Sequence, residues 1–295
     1  GDMQLISEAY SLLKKRKGLD NDAMAVVFDE WNGGELDSFL IEITANILRF
    51  RDEDGKPLLD KILDVAGQKG TGKWSAIAAM DENDPLTLIT EAVYARLLSA
   101  LYPERIKAAS LYSGKLKVES GKLSDNAQLS IEDVRQALYA AKLISYAQGF
   151  SLLRHASEHY GWDLDYGTIA RIWRKGCIIR SVFLQKITEA YRKDPDLENL
   201  LFDDFFHTKI QEALPAWRRV VAEGALSGVA LPAMSSALNY FDGLRTLYSA
   251  ANMIQAQRDY FGAHTYERTD RERGHFFHTN WTGEGGNTVS GTYSV

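Results

Sequence analysis

The sequence holds one cysteine, Cys177, so an intrachain disulfide is excluded. It holds only six prolines in 295 residues, too few to interrupt long helices. No apolar run reaches the ~18 residues that a spanning helix needs, so no membrane partner is expected. The formal net charge of −6 argues against a general nucleic-acid partner, which calls for a basic face. Metal-ligand spacing is also lacking. His155 and His159 stand at i, i+4 on a helical pattern, but no third ligand accompanies them, and the pair reads as surface histidines. No Ser-His-Asp or Cys-His constellation occurs. Cys177, between Gly176 and Ile178, reads as a core thiol. A lone cysteine and the absence of a leader pattern point to a reducing, cytoplasmic setting.

What is present is helical periodicity. The 45% hydrophobic and 25% charged content is that of an ordinary globular chain, long enough for one large domain or two. Met3, Ile6, Tyr10 and Leu13 form a stripe at helical spacing, closed by the basic run Lys14–Lys17 and Gly18. Further helices are expected over Ala23–Trp31, Glu35–Phe50 (Leu36, Leu40, Ile43 and Ile47 on one face) and Leu58–Ala66. Others follow over Trp74–Met80 and from Asp84-Pro85 to about Leu101. Residues 112–129, with Gly114 and Gly121, read as an exposed loop of no assigned role. Ser130-Ile-Glu-Asp133 is an N-cap pattern that should open a long helix over Ile131–Tyr160. Tyr166–Trp173, Cys177–Arg192, Leu200–Phe206, Lys209–Glu223 (stopped by Gly224) and Pro232–Ala250 complete the set, with Ala251–Tyr260 extending or following the last. After Tyr266 the chain turns polar and glycine-rich. An extended tail is expected there, anchored by Phe276, Phe277, Trp281 and Tyr293.

A weak repeat runs through this pattern. Ile6-Ser-Glu-Ala-Tyr-Ser-Leu-Leu13 resembles Ile144-Ser-Tyr-Ala-Gln-Gly-Phe-Ser-Leu-Leu153. Trp31, Ser38-Phe-Leu40 and Ile43-Thr44 are echoed by Trp173, Ser181-Val-Phe-Leu184 and Ile187-Thr188. The expected fold is therefore all-α: a large helical domain with an internally duplicated helical unit and an extended C-terminal tail.

The stretch with most chemistry in it is Gly67-Gln-Lys-Gly-Thr-Gly-Lys73. Its glycines allow close backbone approach and its lysines favour an anion. It fits the first part of a Walker A pattern, but Trp74 stands where that motif needs Ser or Thr for Mg²⁺. The segment ahead of it reads as an amphipathic helix rather than a strand. A phosphotransferase is the weaker reading, and a glycine turn with two solvated lysines is the bland one. Two other places offer anion chemistry. Arg96 lies mid-helix among apolar neighbours, where an arginine also snorkels. Arg258 and His264 lie where a helix meets Gly262, and guanidinium forks match phosphate and carboxylate.

Longer blocks carry a resemblance. Gly1-Asp-Met-Gln-Leu-Ile6, Glu35-Leu-Asp-Ser-Phe-Leu-Ile-Glu-Ile-Thr44, Ala66-Gly-Gln-Lys-Gly-Thr-Gly-Lys-Trp74, Cys177-Ile-Ile-Arg-Ser-Val-Phe-Leu184, Ile254-Gln-Ala-Gln-Arg-Asp-Tyr-Phe-Gly-Ala-His264 and His278-Thr-Asn-Trp281 resemble decarboxylating 6-phosphogluconate dehydrogenases over the whole chain. The resemblance implies the all-helical C-terminal domain of such an enzyme, over residues 1–265, and a tail over 266–295 that docks on the partner of a homodimer. It implies oxidation of 6-phosphogluconate with NADP, loss of CO₂ and release of ribulose 5-phosphate, a step of the pentose phosphate pathway. By position, Lys69, Thr71 and Arg96 match substrate-binding residues. Arg258 and His264 match residues that reach the partner's substrate. Ser290, Gly291, Thr292 and Tyr293 match, loosely, a segment near the partner's coenzyme. Ser75 stands where the family often has Thr. The family's Rossmann domain, its lysine base and its glutamate acid have no counterpart in these residues, so no catalytic residue is expected in this chain and no activity from it alone. The competing reading is a non-catalytic helical binding or assembly domain that keeps the fold. Such a scaffold could drop Lys69, Arg96, Arg258 and His264; all four are present.

Overall fold

The computed structural model describes residues 1–112, 129–174, 178 and 180–283. The interior of the expected 112–129 loop, Cys177, and Ser290–Tyr293 lie outside the described residues. Among the described residues are twelve α-helices: α1 (Asp2–Lys17), α2 (Asn21–Asn32), α3 (Phe39–Arg49), α4 (Thr71–Asp81), α5 (Thr87–Ala100), α6 (Tyr102–Tyr112), α7 (Ile131–Tyr160), α8 (Tyr166–Trp173), α9 (Leu184–Lys193), α10 (Asp204–Ser227), α11 (Pro232–Leu244) and α12 (Ala251–Gly262). One two-stranded antiparallel ribbon, β1 (Tyr266–Glu267) and β2 (Phe276–Phe277), sets Tyr266 opposite Phe277. The protein is all-α. The chain divides into two compact units, Gly1–Phe241 and Asp242–Val295. No helix among the described residues is long and apolar enough to cross a membrane.

The first unit is built on α7. Ser130 Oγ accepts the Asp133 amide at 2.9 Å, and the Asp133 carboxylate accepts the Ser130 amide at 2.8 Å, a complete capping box. Gly161 ends the helix at φ 66°, a left-handed position suited to glycine. From Ala137 to Gln148 every residue of α7 is buried. A helix that is buried on all sides must lie inside the bundle, and α1, α5 and α10 pack around it. Phe28, Phe150, Phe183 and Trp217 fill the core, and Trp217 Nε1 donates to the Met234 carbonyl at 3.1 Å.

The repeat is real in three dimensions. α1–α2–α3 and α7–α8–α9 are the two copies. Both first helices stop at left-handed glycines, Gly18 and Gly161, and both second helices are capped by an aspartate, Asp20 and Asp165. The equivalent serines Ser38 and Ser181 face each other in an antiparallel bridge. Phe39 N donates to Arg180 O at 3.2 Å, and Val182 N to Asp37 O at 3.0 Å. Each copy thus contributes equivalent positions to the bridge, a local two-fold relation.

The bridge also explains two misplaced boundaries. α3 begins at Phe39, not Glu35, because Ser38 is its cap, and α9 begins at Leu184, because Arg180–Val182 spend their backbone groups on the other copy. Ile47, expected on one face with Leu36, Leu40 and Ile43, is exposed; Leu40, Ile41, Ala45 and Leu48 are the buried set of α3. Gly224 does not stop α10, which runs to a left-handed Gly228. A Cβ at Gly224 would run into the Leu231 side chain, so this glycine serves close packing. Residues 58–66 make a single 3-10 turn, Leu58–Lys61, and then continue as an irregular, bent segment. α6, a helix the periodicity did not single out, follows α5 directly, and α11 ends at Leu244 rather than reaching Ala250.

Glu8 of α1 is buried and closes the start of α11. Its carboxylate accepts Ala233 N at 2.8 Å, Met234 N at 2.9 Å and Gln4 Nε2 at 3.0 Å. Burial outweighs these donors and pushes its carboxyl up to about 7. A carboxyl raised in the folded state contributes stability that is complete below its unfolded value of 4.5 and is lost as pH rises through about 7. Glu8→Gln is therefore expected to flatten the fall of the denaturation midpoint between those pH values; an unchanged slope would refute it.

Candidate functional site

Asp64–Gly70 is the strap that brings the glycine-rich stretch to α5. Its backbone is taken up by side chains distant in sequence. Ser99 Oγ accepts Ala66 N at 3.0 Å, and Arg105 Nη1 donates to Asp64 O at 3.1 Å while its other nitrogen pairs with the Asp64 carboxylate. Arg96 Nη1 reaches the Gly67 carbonyl at 3.5 Å. These captures of main-chain groups compete with helix formation, which is why the apolar spacing of Leu58–Ala66 does not become a helix.

The strap then turns at Gly70, whose φ of 101° only glycine adopts readily, and Thr71 opens α4. No side-chain cap closes this helix start, where the positive end of the helix dipole lies. Gly72 lets the turn press on α5: a Cβ there would lie 2.9 Å from Val93 Cγ2. Val93 and Arg96 are one helical turn apart on α5, so this close approach sets the α4 N-terminus beside the Arg96 face. Lys69 and Thr71 are exposed and Arg96 is half-buried. Neither Lys69 nor Arg96 forms an ion pair with a carboxylate among the described residues. The structure thus brings Lys69, Thr71 and Arg96 into one region of the first unit. Uncapped amides, an ammonium and a guanidinium there make an anion-binding arrangement. Beside it, Arg96 and Arg105 line a mostly apolar cleft of 1320 Å³ together with Tyr94, Leu98 and Pro232. His155 and His159 are turned to separate carboxylates, Asp84 and Glu82, each at 2.8 Å.

Arg258 and His264 belong to the second unit. Arg258 lies in the last turns of α12, half-buried, and His264 in the turn that follows. That turn is conformationally costly. Ala263 (φ 48°) and Thr265 (φ 56°) both lie in the left-handed region, at roughly 1–3 kcal/mol each for non-glycine residues. Asp259 holds it. Its buried carboxylate accepts Thr265 N at 3.0 Å and His278 Nδ1 at 2.9 Å on one oxygen, and Thr279 N at 3.0 Å and Trp281 Nε1 at 2.9 Å on the other. Burial alone would raise this carboxyl; the four donors hold it below the usual carboxylate range. Sequence reasoning passed over Asp259, although an acidic residue in the last turn of a helix opposes the helix dipole and so calls for a reason. Arg105 was missed because the periodicity did not single out its helix.

Comparison with known proteins agrees with this architecture. Residues 1–281 match the model of the 6-phosphogluconate dehydrogenase C-terminal domain. The chain is 55% identical to the decarboxylating 6-phosphogluconate dehydrogenase of Rattus norvegicus, 56% to that of Cunninghamella elegans and 54% to that of Homo sapiens. Each match covers 100% of this chain and 60% of the relative. Among solved structures, Plasmodium falciparum 6-phosphogluconate dehydrogenase, studied as apo form, with NADP⁺ and with 6-phosphogluconate, superposes with a TM-score of 0.87 at 42% identity. That match covers 95% of this chain and 59% of the other. The chain therefore spans about three-fifths of the length of the relatives it matches. With identity spread over its whole length and the helical architecture in common, the chain belongs to the 6-phosphogluconate dehydrogenase family, as its C-terminal domain.

Proposed function

We propose that this chain is the substrate-binding and dimer-forming part of an enzyme that oxidises 6-phosphogluconate with NADP, releases CO₂ and yields ribulose 5-phosphate. The observation that carries this reading is Arg96. In a chain of net charge −6, this guanidinium has no carboxylate partner among the described residues and stands beside an uncapped helix start that carries Lys69 and Thr71. A phosphate dianion suits that arrangement, since guanidinium, ammonium and amide donors all form charge-assisted hydrogen bonds to it. Anchoring the phosphate end of a flexible sugar acid orients its reacting carbons.

Arg258 and His264 complete the pocket of a partner subunit in this reading, and Ser290, Gly291, Thr292 and Tyr293 approach the partner's NADP. The second unit exposes Leu247, Tyr248, Met253, Ile254 and Phe261, apolar side chains that a homodimer would cover. The hydroxyl oxidation needs a base and the enediol needs an acid. Both are assigned to the part of the relatives that this chain does not span. The 295-residue chain alone is thus expected to give no NADP reduction with 6-phosphogluconate, while a full-length enzyme that contains it does. Activity from the chain alone, or none from the full-length protein, would overturn the reading.

A further inference from the structure

The ring of His264 lies directly over the backbone of Gly262. A Cβ added at Gly262 would lie 2.6 Å from His264 Nε2 and 2.7 Å from Cδ2, closer than non-bonded atoms approach. The imidazole also meets the Phe261 ring edge-to-face, centroids 5.8 Å apart. Asp259 holds the backbone that carries the ring at two points. The Ala263 amide donates to the Asp259 carbonyl at 2.9 Å, and the Thr265 amide to its carboxylate at 3.0 Å. The same carboxylate gathers His278, Thr279 and Trp281. Gln255 Nε2 adds a donor to the Thr265 carbonyl. Gly262 is the last residue of α12 and does not need a positive φ, so a methyl group there costs little backbone energy and acts through the ring it displaces.

We propose that Asp259 and Gly262 are positioning residues for His264: Asp259 locks the left-handed turn that carries the imidazole, and Gly262 supplies the space in which the ring lies. This rests on the reading of His264 as a substrate contact. The glycine and the aspartate share one task, one by leaving room and the other by closing the turn. Displacement of a binding group by about 1 Å costs up to roughly 100-fold, so modest changes at either position should be read in substrate binding.

The test uses the full-length enzyme and the variants Gly262→Ala, Asp259→Asn, His264→Ala and the double variant Gly262→Ala/His264→Ala. Gly262→Ala is expected to raise the KM for 6-phosphogluconate roughly 10- to 100-fold with the thermal midpoint and the KM for NADP unchanged. Asp259→Asn, which turns an amide donor toward N–H groups, should do the same with some loss of stability. In the His264→Ala background the Gly262→Ala effect should vanish, and a crystal structure of Gly262→Ala should show the imidazole displaced. An unmoved ring, or an equal effect of Gly262→Ala with and without His264, would overturn the proposal. A displaced ring combined with a wild-type KM in His264→Ala would instead retain the positioning roles and refute the substrate reading of His264.

Discussion

In the full-length enzyme, Arg96→Ala should raise the KM for 6-phosphogluconate by roughly 10- to 100-fold and leave the KM for NADP where it is. A hydrogen bond to a charged group is worth about 1.5–3 kcal/mol, and a phosphate left without its guanidinium loses at least one. The effect should be in binding and not in folding. The contacts Arg96 makes inside the unit are weak, the Gly67 carbonyl at 3.5 Å and the Met3 sulfur at 3.5 Å. Arg96→Lys should recover part of the loss, since an ammonium keeps the charge but not the planar fork. Steady-state kinetics with each substrate varied in turn decides the matter. An Arg96→Ala enzyme with an unchanged KM for 6-phosphogluconate would remove the phosphate assignment.

The largest effect on stability is expected at Lys142. This lysine lies in the middle of α7 with none of its side chain exposed, and its Nζ sits 2.6 Å and 2.8 Å from the two oxygens of Asp2. Its neighbours along α7, Leu138, Tyr139, Ala141 and Leu143, are all buried. Removing one partner of a buried ion pair leaves the other charge uncompensated, which costs about 3–5 kcal/mol. Lys142→Ala is expected to lose that much and, in addition, to leave space in the core. The double variant Asp2→Ala/Lys142→Met should recover most of it, because an apolar pair of similar volume is often neutral. Denaturation midpoints of the three proteins check this. A Lys142→Ala protein as stable as the wild type would show that the pair carries no stability.

The two effects separate because they use charge differently. Lys142 is neutralised within the fold, whereas Arg96 and Lys69 are left without a carboxylate among the described residues. On a chain of net charge −6, a half-buried arginine without a carboxylate partner among the described residues is what supports the proposed phosphate contact.

Much of the helical frame could be read in advance. Ser130 and Asp133 announce α7 because a capping box satisfies amides locally, and Gly161 ends it because only a left-handed residue can release the chain there. The spacing predicts α8 over Tyr166–Trp173 to the residue, as Asp165 caps it by the same local chemistry. The duplicated unit was visible as recurring Ile, Ser, Trp and Leu positions. Its bridge between Ser38 and Ser181 was not, since strand-like pairing of residues so far apart leaves no periodic trace. In the site, the glycines and lysines of Gly67–Lys73 signalled an anion, but residue types alone did not separate Lys69 from Lys73; that distinction came from the family resemblance.

What the sequence determined by itself is therefore whatever closes within one or two helical turns: the caps, the glycine stops, the apolar stripes and the all-α class. These depend on hydrogen bonds between neighbours in the chain. What only the tertiary structure decided are the places where distant groups outbid local propensity. Ser99, Arg96 and Arg105 hold the strap ahead of Gly70 out of a helix, Leu231 packs α10 past Gly224, and Asp259 closes the turn under His264. Each of these spends a buried or captured polar group, or a van der Waals contact, that exists only once the chain has folded.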